Sequence, residues 1–166
     1  MVTIEEGYVY ITNGKLNQNT IIGGITVKIY CGGNVIENGT NDIFFNAIPN
    51  TSANPNPKLL NLSKIKEAVT VQGILKSQDR GTNESKTALE QRNDLLTLCK
   101  GKQPVTIVWG TYNSTKTNQI SYTDFNINKW QFKFVPDKPF ALWSAGVNVW
   151  NHIEVTIQGL LGSSMI

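Results

Sequence analysis

Apolar and polar residues alternate with a period of two along most of this chain, and with a helical period in a single segment. Tyr8, Val9, Tyr10, Ile11 and Thr12 make a strand-like run, and Asn13-Gly14 ends it with a strong turn signal. Residues 25–31 alternate cleanly, with Ile25, Val27, Ile29 and Cys31 on one face and Thr26, Lys28 and Tyr30 on the other. One buried face and one wet face account for that spacing. Gly32-Gly33 and Asn38-Gly39 then predict two turns in close succession.

The most structured stretch is 66–110, which reads strand, polar loop, helix, strand. It opens with Val69-Thr70-Val71-Gln72-Gly73-Ile74-Leu75. That run has an echo near the C-terminus, Val155-Thr156-Ile157-Gln158-Gly159-Leu160-Leu161. Glycine inside a strand marks a bulge or bend, so the repeated Gln-Gly predicts two strands that bend alike in a curled sheet. The helix is predicted over about 84–100, with Thr82 or Asn83 as N-cap and Gly101 as C-cap. Ala88, Arg92, Leu95 and Cys99 form its packed stripe, widened by Leu89 and Leu96, while Lys86 and Glu90 face solvent.

Val105 to Tyr112 reads as the next strand, followed by a polar turn and two further candidates, 120–127 and 130–135. In the second of these Trp130, Phe132 and Phe134 share a face. The last strand puts Ile153, Val155 and Ile157 on one side and His152, Glu154, Thr156 and Gln158 on the other. Two stretches resist pattern. Residues 42–58 join Ile43-Phe44-Phe45-Asn46-Ala47-Ile48 to a segment containing Pro49, Pro55 and Pro57, and read as one long irregular loop. Residues 140–150 are apolar but irregular, with Trp143, Val147, Val149 and Trp150 as anchors. Phe44 and Phe45 suit a contact surface and a plug for the domain's own core equally well.

Composition sharpens this picture. At 166 residues the chain is expected to form one domain, 1–166, with room for a full core. Only 16% of residues are charged, against about 25% in ordinary globular proteins, and Asn and Thr fill the difference. Thr suits pleated sheet and Asn suits turns. The net charge of +3 is evenly spread, so no specific nucleic-acid binding is expected. The acidic start, Glu5-Glu6, is unlike a signal peptide, and no segment approaches the roughly 20 apolar residues of a membrane span. The expectation is a chain made and kept in a cytosol, without membrane contact, with Cys31 and Cys99 reduced.

Candidate chemistry is sparse. His152 is the only histidine, and both cysteines fall on faces predicted to be buried, which disfavours a Cys-His nucleophile and a zinc site. The carboxylates include no close pair in an apolar setting, and Gly23-Gly24 and Gly32-Gly33 lack a phosphate-binding context. No enzyme, cofactor or metal is expected. A β-barrel that stacks sugar rings or single-stranded bases on Tyr8, Tyr10 or Tyr122 is the alternative function.

The run 57–73, with Leu59, Leu60, Leu62, Ile65, Val69 and Val71 ahead of Gln72-Gly73, resembles the start of small tail and baseplate proteins of tailed bacteriophages. The polar loop, the helix with Ala88, Arg92, Asn93, Asp94 and Leu95, the strand 105–110 and the closing run 153–159 share that resemblance. It implies a mainly β (α+β) fold, a split β-barrel or two-layer β-sandwich with one flanking helix. It also implies a structural virion protein, made in the host cytoplasm and forming a ring, commonly sixfold, around the tail axis. Its partners would be copies of itself and other tail or baseplate proteins. The pattern leaves the station open among tube, terminator, distal-tail adaptor, hub and wedge. On this reading Phe44, Phe45, Ile48, Pro49, Pro55, Trp143 and Trp150 are the candidate subunit-interface residues.

Overall fold

Alternating apolar residues turn most of the chain into paired strands, and the pairing returns on itself. The structure, a computed structural model, describes residues 1–30, 34–46, 58–76, 78–79, 85–113, 117–136 and 150–162. Near the N-terminus lie β1 (Val2–Thr3), β2 (Tyr8–Thr12), β3 (Lys15–Asn17), β4 (Thr20–Ile22) and β5 (Thr26–Tyr30). Two long strands follow, β6 (Val35–Asn46) and β7 (Lys58–Leu75), then the short β8 (Gln78–Asp79) and β9 (Ser85–Lys86). The helix α1 (Ala88–Lys100) leads into β10 (Val105–Trp109), β11 (Ile120–Pro136) and β12 (Trp150–Leu161). Among the described residues the fold is mainly β with one helix, as the sequence pattern predicts.

The principal sheet runs β12-β11-β10-β2-β5-β7-β6, and β12 also pairs with β7. Every strand but β6 therefore belongs to a closed circuit, whose thinnest seam is the single β5–β7 pair Tyr30↔Ile74. Alternate residues of these strands, Val9, Ile11, Val27, Ile29, Val69, Val71, Ile107, Ile153, Val155 and Ile157 among them, meet in one core. The two echoing segments prove to be direct neighbours. Val69 lies opposite Gly159, Thr70 opposite Gln158, Val71 opposite Ile157, Gln72 opposite Thr156 and Gly73 opposite Val155. The repeat thus pairs with itself antiparallel about a local two-fold axis that passes between Val71 and Ile157.

Neither Gln-Gly pair forms a bulge between β7 and β12. Register between β7 and β12 is unbroken across both Gln-Gly pairs, and the shift lies in neighbouring β11, between Ile127 and Lys129. Gly159 occupies the next inward position after Ile153, Val155 and Ile157, and the fully buried ring of Phe125 fills the space a side chain would need.

The helix packs on β12, β5, β11 and β7, across the seam of the circuit. It starts four residues later than predicted. Thr87 is the N-cap and forms a capping box: its Oγ1 accepts from Glu90 N at 3.2 Å, and Glu90 Oε2 accepts from Thr87 N at 3.4 Å. Two competing caps, Thr82 and Asn83, lack a Glu or Gln three residues on, whereas Thr87 has one. Lys86 belongs to β9 and bonds Asp94 at 2.8 Å. The buried stripe is Ala88, Gln91, Leu95, Leu98 and Cys99, so Leu89 lies outside it and is exposed. Gln91 is admitted to the core because its Nε2 donates to the carbonyls of Lys76 at 2.6 Å and Lys86 at 3.3 Å. Gly101 ends the helix as expected. Gln103 then donates to the carbonyls of Leu98 (2.9 Å) and Gly101 (3.3 Å), satisfying groups that the last turn leaves open.

Four further expectations change. Strand β5 is buried on both faces, because the small sheet β1-β4-β3 and its cluster of Ile4, Tyr10, Ile21 and Val108 cover the far side. Lys28, predicted to face water, is only 6% exposed at its side chain and bonds Glu5 at 2.5 Å beneath the Tyr8 ring. Asn38-Gly39 does not turn the chain but lies inside β6. Finally, residues 42–46 and 58 of the predicted irregular loop are strand, forming the outer part of the β6–β7 hairpin, and the two strands predicted over 120–135 are one.

Candidate functional site

Of the predicted interface residues, Phe44 and Phe45 lie in β6 at adjacent register positions, opposite Leu60 and Leu59 of β7. Trp150 opens β12 opposite Pro136. Ile48, Pro49, Pro55 and Trp143 lie outside the described residues, as does Cys31. The backbone around Phe44 and Phe45 is distinctive. Strand β12 pairs with residues 67–75 of β7, and residues 58–66 pair, among the described residues, with β6 alone. Residues 40–46 and 58–66 therefore form a two-stranded ribbon that runs past the closed circuit by roughly 20–30 Å.

The outer face of the β7–β12 pair carries the repeat's polar residues. Two shallow grooves meet at Thr156. One, of about 480 Å³, is lined by Thr70, Gln158, Asn128, Lys129, Trp130 and Gln131 besides Thr156. The other, of about 470 Å³, brings Gln72 and Glu154 together with Tyr30 and Asn34. Glu154 lies 3.6 Å from Lys133 and 3.8 Å from His152, so the lone histidine stands beside a carboxylate on a half-exposed strand face.

A third groove, of about 280 Å³, is acidic. Tyr122 donates to Glu37 Oε1 at 2.6 Å, and Glu67 lines the same space. The hydrogen bond to Glu37, with burial and the charges of Glu37, Glu67 and Asp124, pushes the Tyr122 phenol up to about 12. Folding thus favours the protonated phenol, and that contribution is complete below the ordinary tyrosine value near 10 and lost as pH rises towards 12. Ultraviolet difference titration of the native protein against Tyr122→Phe should show this phenolate forming near pH 12, and nearer 10 in Glu37→Gln. Equal midpoints in those two backgrounds would refute the assignment.

The tyrosines proposed as stacking platforms are otherwise engaged. Tyr10 is fully buried, its hydroxyl accepting from Glu5 N at 3.0 Å, and burial pushes its phenol far up. Tyr8 packs edge-on against Tyr30, centroids 5.6 Å apart. Tyr122 sits among carboxylates, which repel phosphates. Cys99 lies in the core as its helical position predicts, and burial pushes its thiol up to about 11, away from the thiolate that nucleophilic work needs. Among the described residues no three His, Cys, Asp or Glu side chains gather as a metal-binding group. Sequence reasoning missed both the self-pairing repeat and the polar grooves it creates. The repeat itself was the available signal, since a strand motif that recurs with the same polar positions can present them side by side.

Searches against protein-family models and against curated proteins return no match to this chain.

Proposed function

We propose that this protein is a structural assembly component of a phage tail or baseplate, acting by contact with copies of itself in a ring and with neighbouring tail proteins. The observation that carries this reading is the β6–β7 ribbon. A two-stranded ribbon by itself is marginal in water, and strand edges without partners recruit other chains. Among the described residues the strand pairs of residues 58–65 are all with β6, and Phe44, Phe45, Leu59 and Leu60 occupy this part of the hairpin. A neighbouring subunit that pairs with it would satisfy its edges. Closed point-group rings supply such a neighbour to every copy. The resemblance of 57–73 and 153–159 to tail and baseplate proteins supplies the setting, and it places the ribbon's second strand within the resembling segment.

The test is to shorten the ribbon without touching the circuit. Ile43 and Asn61 are register partners, so replacing residues 44–60 by Asn-Gly closes a tight hairpin there. Light scattering and electron microscopy should show rings for the full chain, and a monomer with an unchanged β circular-dichroism spectrum for the shortened one. A full chain that stays monomeric at high concentration and with tail proteins added would overturn the proposal.

A further inference from the structure

The groove on the outer face of β7, β12 and β11 that holds Asn128 and Gln131 has a chemistry of its own, independent of assembly. Three amides (Asn128, Gln131 and Gln158) and two threonines (Thr70 and Thr156) line it. Among the described residues no carboxylate does, and Lys129 is the single charged residue. It is shallow and open, with a volume of about 480 Å³, a shape that suits an extended ligand lying along the strands. A solvated sheet face needs no such composition. Elsewhere on the same pair of strands Glu154 and Lys133 supply the ordinary charged surface.

Two features build the groove. The first is the repeat, whose self-pairing sets Thr70 directly beside Gln158 and Gln72 beside Thr156. The second is the β11 bulge. Strict alternation would send Asn128 and Lys129 to opposite faces, yet both are exposed and both line this groove, because the register shift between Ile127 and Lys129 adds a residue there. The bulge is held from behind, where Gln103 Oε1 accepts from Ile127 N at 3.0 Å. Trp130, next to Lys129 in the strand, pairs with the inward Ile157 and so lies on the other face of β11.

We infer that this groove is a binding site for a neutral oligosaccharide. Each amide offers a donor and an acceptor on one rigid plane, and each threonine a hydroxyl that does both, which matches the paired donor and acceptor character of vicinal sugar hydroxyls. One ammonium is too little charge for a polyanion, whose affinity is set by the number of phosphates neutralised.

The probes are linear tetrasaccharides of glucose, galactose and N-acetylglucosamine, with octathymidylate as the polyanion. Titration of the intact, isotopically labelled protein should give saturable shifts of the Asn128, Gln131 and Gln158 side-chain amides with at least one saccharide. Gln131→Ala, at an exposed position that leaves the core untouched, should weaken binding about tenfold. Deleting Asn128, which removes the bulge, should abolish it while thermal unfolding stays cooperative. The inference fails if no saccharide saturates by about 10 mM, if the shifts map to another face, if Gln131→Ala binds as well as the native protein, or if octathymidylate displaces the sugar.

Discussion

Gly159→Ala should destabilise the protein by about 3 kcal/mol, at the upper end of ordinary overpacking costs. A Cβ at this position would stand 2.1 Å from Phe125 Cε2 and 2.5 Å from Cζ, well inside contact distance. Relief requires the ring or the strand to move, and neither is free. Phe125 is fully buried in the main core, and Gly159 is paired on both sides, with Ile127 and with Val69. At roughly 2–4 °C per kcal/mol for a chain of this size, the melting temperature should fall by about 6–12 °C. Phe125→Leu in the same background should recover part of the loss, and a double-mutant cycle measures the coupling. A melting temperature within a degree of the native value for Gly159→Ala alone would show that the ring does not occupy that space.

Leu95→Ala should cost about 2–5 kcal/mol, the range for truncating a fully buried leucine. Leu95 is 0% exposed and joins α1 to the core shared by β5, β7, β11 and β12. Because the helix bridges the seam where β5 and β7 share a single residue pair, a cavity there weakens the sheet closure as well as the helix. Leu89 is the control. It is 40% exposed, and Leu89→Ala should stay within about 0.5 kcal/mol of native. Urea unfolding of the two variants decides the matter, and equal losses would contradict the orientation of the helix.

The contrast between these leucines shows where reading the chain stops. Periodicity locates the helix and its C-terminal end, and puts Ala88, Leu95 and Cys99 inward as found. It also draws Leu89 into the stripe and leaves Gln91 out, because hydropathy ranks an amide below a leucine. What reverses the two is the carbonyl groups of Lys76 and Lys86, which come from outside the helix. The proposed interface shows the same limit. Phe44 and Phe45 were conspicuous as an apolar patch beside prolines, but that they occupy a paired ribbon depends on residues 58–62 returning alongside. The saccharide groove was invisible. Its residues are polar and outward, and each alone reads as ordinary solvated surface.

The sequence by itself determined the local elements: the strands β2, β5 and β12, the inward set Ile153, Val155 and Ile157, the helix, and the mainly β class. These follow from period and propensity, which act between residues a few positions apart. Tertiary structure alone decided which strands are neighbours, that Lys28 lies beneath a second layer with Glu5, and why Gly159 has no side chain. It also decided that the Val-Thr-x-Gln-Gly repeat meets itself antiparallel, so that two distant polar faces become one surface. The physical reason is that alternation says a strand has an inside and an outside, while what covers each face, and what lies beside it, is set by chain segments the local pattern does not contain.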